Sequence, residues 1–225
     1  MIKIERKETE KTKLAEEVLK VAKEKGSTYN IEEVNVALNE VFHGKCYICE
    51  NKDITSCQIE HFVPHRGNVE LKYDWNNLFW SCAHCNNIKS DKYEPILDCT
   101  KEDVDELIAF RKTGYFGTDE KLEFVPLCES EEVHNTIRLL QDAYYGTTPQ
   151  KKVEAKVIRK RLREELHKFK DYVREYQETE GEDKTDLLLL VKMEMKANKP
   201  FAAFKRWLIK DNSNYFPELF NQISK

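Results

Sequence analysis

Two cysteine pairs constrain this chain more than any other feature of its sequence. Cys46 and Cys49 form one C-x-x-C pair, and Cys82 and Cys85 form a second. Each pair can place two thiolates on one side of a tight turn, and two such turns complete the tetrahedral sulfur shell that Zn²⁺ prefers. A redox dithiol needs only one pair, and unligated buried cysteines would not explain the repeated spacing. Since four thiolates leave no open coordination position, the predicted Zn²⁺ is structural.

Composition sets the class of protein. The chain has 225 residues, enough for one sizeable domain or two small ones, and 35% of them are charged. The net charge of −4 excludes a chain coated in basic residues, so nucleic acid would have to meet a local basic patch or a partner. No apolar segment opens the chain, and its longest apolar run, Leu187 to Val191, is too short to cross a bilayer. We therefore expect a cytoplasmic protein without membrane contact, in which paired cysteines bind metal rather than form disulfides.

The remaining cysteines and one histidine carry weaker signals. Cys57, Cys99 and Cys128 have no partner at metal-binding spacing, and we predict that they are small core residues. His84 lies between the two cysteines of its pair and would compete with them for space, so we predict that it is exposed.

Hydrophobic periodicity predicts an α+β chain that is predominantly helical. The predicted elements are helices at 11–25 and 31–42, a strand at 55–63, a loop at 64–74, a helix from Cys82 or Cys85 onward, a short helix at 102–110, a strand at 121–127, and helices at 131–145, 151–176, 185–196 and 200–210. These elements suggest three regions. A helical region at 1–44 precedes a small zinc-stabilised finger at 45–98, and a helical region with a short strand element at 99–225 is expected to contact a partner or substrate.

Candidate catalytic residues lie between the cysteine pairs. Glu60 and His61 are adjacent at the end of the predicted strand, where both side chains can approach one cavity. A carboxylate is a hard ligand for Mg²⁺, and a neutral imidazole can take a proton from water near pH 7. A metal ligand beside a base is the minimum apparatus for hydrolysing a phosphodiester. His65 is the second candidate for the base.

The order of these residues matches a known family. The pattern C-x-x-C, I-E-H-x-x-P, W-N-N-L and C-x-x-C-N-x-x-K, from Cys46 to Lys89, resembles the ββα-metal finger of HNH endonucleases. The resemblance implies that His61 is the general base. It also implies that Glu60, where the family more often has Asp, and Asn86 bind a catalytic Mg²⁺ or Mn²⁺. Asn77 would hold the loop and orient the base.

Two further assignments and one ambiguity complete the candidate site. Lys89 would face phosphate from the helix, and Arg66 is a second candidate for contact with nucleic acid. Asn76 competes with Asn77 for the middle position, and we favour Asn77 because it directly precedes leucine.

A looser resemblance extends along the chain. The segment "YDWNNLFWSCAHCNNIKSDKYEPILD", then "HNTIRLL" and "PFAAFKRWLI", is similar to nuclease subunits of Septu-type anti-phage systems, relatives of which accompany some retrons. It implies an SMC/ABC-like ATPase partner, a nucleic-acid substrate and, for retron relatives, an RNA–DNA complex. DNA is the preferred substrate, and RNA, including tRNA, stays open. The alternatives are a catalytically inactive zinc-binding adaptor of the ATPase and a sequence-specific DNA-binding zinc module.

Two basic segments are further candidates for nucleic-acid binding. The segment 151–174 contains ten Lys or Arg against four Asp or Glu, and basic residues near the C-terminus alternate with Phe201, Phe204 and Trp207. For both segments we favour the ordinary explanations, a solvated helix face for the first and aromatic core packing for the second.

Overall fold

The computed structural model describes residues 1–52, 54–114 and 119–223 and shows a mixed α+β protein that is predominantly helical. Its helices and strands are, in chain order, α1 (Glu10–Lys25), α2 (Glu32–Val41), β1 (Cys57–His61), α3 (Val69–Tyr73), β2 (Leu78–Cys82), α4 (Ala83–Lys89), α5 (Val104–Leu107), β3 (Ile108–Thr113), β4 (Lys121–Pro126), α6 (Glu131–Tyr145), α7 (Pro149–Glu178), α8 (Glu182–Glu194), α9 (Ala202–Lys210) and α10 (Pro217–Ile223). The predicted fold class is confirmed.

The finger consists of an antiparallel hairpin followed directly by a helix. In the hairpin, β1 pairs with β2 so that Glu60 lies opposite Phe79 and His61 lies opposite Leu78. Helix α4 begins at the residue after β2. The predicted loop at 64–74 contains the short helix α3, because the Asn68 side chain accepts hydrogen bonds from the first-turn N–H groups of that helix.

A second antiparallel hairpin corrects one prediction. The expected short helix at 102–110 is present only as α5, which ends at Leu107, and its predicted last three residues are wrong because β3 begins at Ile108. Strand β3 pairs with β4, and Phe110 lies opposite Phe124. The two rings stay in edge contact, with their centroids 5.4 Å apart. Pairing with a strand 13 residues away along the chain (Ile108 to Lys121) thus overrides the local helical spacing.

One hydrophobic core runs through all three predicted regions. It includes side chains from α1 and α2, from the finger and from the C-terminal helices. The backbone N–H of Ile4 donates to the Cys99 carbonyl at 2.8 Å, and the Tyr144 hydroxyl donates to the Cys49 carbonyl at 2.8 Å. The division into three regions therefore stays a prediction. In the described ranges, we find no helix that is long and apolar enough to span a membrane.

Phe201, which directly precedes α9, and the aromatic residues of α9 belong to this core, as predicted. Phe201, Phe204 and Trp207 are all buried, and the Trp207 indole N–H donates to the Asp105 carbonyl at 2.8 Å. Core packing therefore accounts for these residues.

A buried lysine joins three C-terminal helices. The Lys205 side chain of α9 has no solvent exposure, and its ammonium lies 2.9 Å from Glu165 of α7 and 2.7 Å from Glu194 of α8. A buried charge is tolerated only when it is paired, and removing one member leaves the others uncompensated. This triad therefore holds α7, α8 and α9 in one arrangement.

We expect the Lys205→Met substitution to destabilise the fold by about 3 kcal/mol, because Glu165 loses its cation and the partly buried Glu194 keeps only Lys199. Urea denaturation followed by circular dichroism measures the difference. The control is Lys20→Met on the exposed face of α1, for which we expect a change within about 0.5 kcal/mol. Equal stabilities of the two variants would contradict the role of the triad.

The same triad predicts a dependence of stability on pH. Burial alone would raise the pKa of Glu194, but Lys199 and Lys205 outweigh it, so the pKa lies below its usual value of 4.5. A lowered folded-state pKa contributes stability above the unfolded-state pKa, which is lost as the pH falls through the folded value. Between about pH 5 and pH 3, the wild type should therefore lose more unfolding free energy than Glu194→Gln. If the unfolding free energies of the wild type and Glu194→Gln change in parallel with pH, Glu194 does not contribute this stability.

Candidate active site

The four paired cysteines meet at one buried point. The sulfur atoms of Cys46, Cys49, Cys82 and Cys85 all lie within 4.8 Å of one another. A tetrahedral Zn²⁺ with bonds of about 2.3 Å requires sulfur atoms about 3.8 Å apart, so the cluster has the composition and the spacing of a structural zinc site. Burial and the neighbouring thiols raise the pKa of the Cys85 thiol well above its usual range.

Local hydrogen bonds shape each cysteine turn. In the first turn the Glu50 N–H donates to the Cys46 carbonyl at 2.9 Å, and the Tyr47 N–H donates to the Trp80 carbonyl of β2 at 3.0 Å. In the second, Cys82 caps α4, and its sulfur accepts from the Cys85 N–H at 3.4 Å. The cluster therefore joins the first turn to the junction between β2 and α4.

His84 and two of the other cysteines lie where the sequence did not predict. His84 is buried, and its Nε2 and Nδ1 lie 2.8 Å from the Ala143 carbonyl and 2.7 Å from Glu154. The prediction of an exposed side chain is wrong, because α6 and α7 cover this part of α4 and supply two acceptors. Cys99 is buried as expected, whereas Cys128 is exposed and Cys57 is half-buried.

Glu60 is buried and fully hydrogen-bonded. Its Oε2 accepts from the Tyr47 hydroxyl at 2.6 Å, and its Oε1 accepts from the Lys89 ammonium, also at 2.6 Å. Burial raises the pKa of Glu60 to about 7, although Lys89 and Tyr47 oppose that shift. The carboxylate is thus a cation-binding group whose cation in this structure is a lysine.

The placement of Lys89 corrects the expectation that it faces phosphate from the helix. Its side chain is 1% exposed, and its ammonium also donates to the His61 carbonyl at 3.1 Å. A buried carboxylate without a cation would be costly, so the long lysine side chain turns inward to Glu60.

Asn86 lies on the same side of β1 as Glu60. Its Nδ2 donates to Gln58 Oε1 at 2.8 Å, and Gln58 precedes Glu60 by two residues on the strand. Since alternate strand residues share a face, Gln58, Glu60, Asn86 and Lys89 belong to one side of the hairpin. The amide oxygen of Asn86 remains as the donor atom suited to a hard cation.

His61 projects to the other side of β1, and its surroundings fix its tautomer. Its Nε2 lies 3.0 Å from the Lys72 carbonyl, and its ring contacts the rings of Tyr29 and His65, each at 4.7 Å between centroids. A carbonyl can only accept, so Nε2 carries the proton and Nδ1 keeps a lone pair. Burial lowers the pKa of His61, and the nearby His65 adds to this effect. The ring is therefore a neutral imidazole near pH 7.

Asn77 clamps the loop that follows β1. Its Oδ1 accepts from the Val63 N–H at 2.7 Å, and its Nδ2 donates to the carbonyls of Val63 at 2.8 Å and Leu71 at 3.0 Å. Its own carbonyl accepts from the Phe62 N–H, next to His61, at 2.9 Å. These contacts tie the end of β1 and the loop after it to α3.

The remaining candidates lie at the surface. His65 Nδ1 accepts from the Gly67 N–H at 3.1 Å, which leaves that nitrogen committed to its own loop. Arg66 is 64% exposed and lies 3.2 Å from Glu94. The side chain of Asn76 is exposed, and the contacts to the loop come from Asn77 instead.

Tyr47, Gln58 and Lys72 are site residues that the sequence did not single out. The Tyr47 hydroxyl donates to Glu60, and the backbone carbonyl of Lys72 accepts from His61. No sequence motif marks either residue. The strand alternation that relates Gln58 to Glu60 was the one available signal. A cavity of about 630 Å³ between the N-terminal segment, α2 and α8 is lined by none of the candidate catalytic residues.

We expect the protein, purified without chelators, to hold one Zn²⁺ per chain. The Cys85→Ser variant should lose this metal and part of its stability, because three thiolates no longer close the shell. Elemental analysis and thermal denaturation measure both effects. Cys128→Ser is the control, since Cys128 is exposed and outside the cluster. Wild-type protein without zinc, or full zinc in Cys85→Ser, would refute the assignment.

Comparison with known proteins bears on the same region. The model of a family described as HNH endonuclease matches residues 46–92. Septu protein PtuB of Bacillus mycoides (strain KBAB4) is 37% identical over 83 residues, which cover 30% of this chain and 28% of the relative. Septu protein PtuB of Bacillus thuringiensis is 32% identical over 97 residues, which cover 40% of this chain and 37% of the relative. The chain thus spans well under half the length of these curated relatives. No solved structure matches it significantly.

The matched range coincides with the structural unit described above. It begins at the first cysteine of the cluster and contains the β1–β2 hairpin, α4 and the Glu60–His61 pair. Residues 46–92 are therefore an HNH endonuclease domain, within a chain that is similar over part of its length to the Septu protein PtuB.

Proposed function

We propose that this chain is the nuclease of an anti-phage defence system and hydrolyses phosphodiester bonds, with DNA as the preferred substrate. One observation carries the proposal. In an HNH endonuclease domain, His61 has its Nε2 proton directed at the Lys72 carbonyl, which leaves Nδ1 as a base. The similarity to Septu proteins supports the defence role.

In this proposal His61 activates water. The Nδ1 lone pair takes a proton from a water molecule, and the hydrogen bond to the Lys72 carbonyl steadies the imidazolium that forms. Asn77 contributes as a positioning residue, because it holds Val63 and Leu71 around the loop between β1 and α3. The base is thereby kept at the end of β1.

HNH nucleases depend on metal, and we propose Glu60 and Asn86 as the residues that would hold Mg²⁺ or Mn²⁺. They fit by donor chemistry, since a carboxylate and an amide oxygen are hard ligands and both side chains belong to one side of β1. The buried Glu60 carboxylate already carries a cation, Lys89. When bound, the ion would supply charge stabilisation to the phosphate and the departing oxygen.

We further propose that the chain works with an SMC/ABC-like ATPase, through the helical parts outside residues 46–92. The partial similarity to Septu proteins supports this partner. No comparison bears on a retron RNA–DNA complex, and that partner stays a prediction, as does the cytoplasmic location.

A second candidate function is a catalytically inactive adaptor subunit of the ATPase. It is favoured by the engagement of Glu60, since both of its carboxylate oxygens already accept hydrogen bonds from protein groups. The intact His61 and Asn77 arrangement favours the nuclease, and the two functions are separated by one substitution.

We expect His61→Ala to lower DNA cleavage at least about 100-fold, because the base is lost. The measurement is nicking of a supercoiled plasmid with Mg²⁺ or Mn²⁺, and a matched tRNA substrate decides between DNA and RNA. His65→Ala tests the second candidate for the base. His134→Ala is the control, since that side chain is 51% exposed and pairs with Glu129.

Zinc content and ATPase binding should persist in His61→Ala, because the cysteine cluster is untouched. Cleavage at the wild-type level in this variant would exclude His61 as the base. Loss of cleavage with phage defence at the wild-type level would support the adaptor.

A further inference from the structure

One side of α7 carries a continuous run of basic side chains. We call it the basic stripe, and it consists of Lys152, Lys156, Lys160, Arg163, Lys170 and Arg174. At 3.6 residues per turn these positions fall within a sector of about 80° and extend over about 33 Å of the helix axis. The stripe is therefore one elongated surface.

The acidic residues of this segment lie outside that sector. Glu154 contacts His84 at 2.7 Å and Glu165 contacts Lys205 at 2.9 Å, so both turn toward other parts of the protein. Glu164 and Asp171 occur at the border of the stripe by helical rotation. The ratio of basic to acidic residues along the sequence therefore understates the positive charge of this side of α7.

The stripe faces solvent. The buried side of α7 carries Ile158, Leu162, Leu166 and Phe169 in a different sector of the helix. The side chains of Lys160, Arg163 and Arg174 are 69%, 51% and 63% exposed. Lys152, Lys156 and Lys170 are also exposed.

Ion pairs at the border do not neutralise the stripe. Arg163 lies 2.6 Å from Glu120, Lys160 lies 3.8 Å from Glu164, and Arg174 contacts Asp171. The pairs of Lys160 and Arg174 are exposed on both sides, and such pairs contribute at most about 1 kcal/mol and are screened by salt. A polyanion can therefore compete for these cations.

We propose that the basic stripe binds the phosphate backbone of a nucleic-acid duplex, without reading its sequence. A duplex carries one negative charge per about 1.7 Å of its axis, so a stripe of about 33 Å can meet several phosphates. The chain as a whole has a net charge of −4, so this attraction is confined to a local surface. Lysine is depleted in protein–protein interfaces, which favours nucleic acid over an acidic protein surface.

The stripe begins next to the HNH domain. Glu154, two residues after Lys152, bonds to His84 of α4, so the start of α7 contacts the helix of the finger. A duplex on the stripe would therefore extend outward from the domain. This inference rests on the proposed function for its substrate class, but it concerns residues outside the matched range 46–92.

The test compares two triple variants that lose the same charge. The stripe variant carries Lys152→Gln, Lys156→Gln and Lys160→Gln. The control carries Lys13→Gln, Lys20→Gln and Lys25→Gln, on exposed positions of α1 that alternate with glutamates. Both are made in the His61→Ala background, and fluorescence anisotropy measures their affinity for 30-base-pair DNA and RNA duplexes at several salt concentrations.

We expect the stripe variant to bind at least about tenfold more weakly at low salt, and the slope of log K against log[salt] to shrink by about 2 to 3. The control should bind like the parent. Equal binding by the stripe variant and the control on both duplexes overturns the proposal. A stripe variant that loses binding to the ATPase but keeps its affinity for both duplexes overturns it as well. Because cleavage is not measured, the stripe can fail while the nuclease mechanism holds, and the reverse.

Discussion

The four-cysteine cluster is the contact on which the rest of the active site depends. It joins a turn at Cys46 to a helix that begins after Cys82, and the intervening chain forms the hairpin. Closing a loop of this length costs conformational entropy, which a bound Zn²⁺ would offset. Because Cys82 also caps α4, the cluster determines where that helix starts. The direction of Asn86 and Lys89 relative to β1 follows from this start.

Buried charge is the second organising feature. Glu60 and Lys89 compensate each other inside the finger, and Lys205 with Glu165 and Glu194 does the same among the C-terminal helices. Such pairs add little net stability over apolar packing, but they penalise every arrangement that separates them. The Lys89 ammonium also bonds to the His61 carbonyl, so the pair that neutralises Glu60 holds the backbone of the proposed base.

The two sides of β1 divide the chemistry of the site. Glu60 and Asn86 belong to the side covered by α4, whereas His61 meets Tyr29, His65 and the Lys72 carbonyl on the other. His61 is the last residue of the strand, where a substrate can pass around the strand end. The hydrolytic function proposed here therefore requires a phosphate at the end of β1. The charges of α7 lie outside this unit, and the contact between His84 and Glu154 connects the two.

The sequence by itself determined the cysteine cluster, the strand at Glu60 and His61 and the long helices, because spacing and periodicity are local properties of the chain. The ββα order and the candidate roles of Asn77 and Asn86 came from the resemblance to HNH endonucleases. Only the tertiary structure decided the burial of His84 and Lys89 and the strand at Ile108–Thr113, since each depends on partners from distant segments. Side-chain type does not predict burial when a distant acceptor compensates the polar group. The basic stripe depends on both the sequence and the tertiary structure. Helical rotation places its lysines and arginines on one side, and only the packing of α7 shows that this side faces solvent.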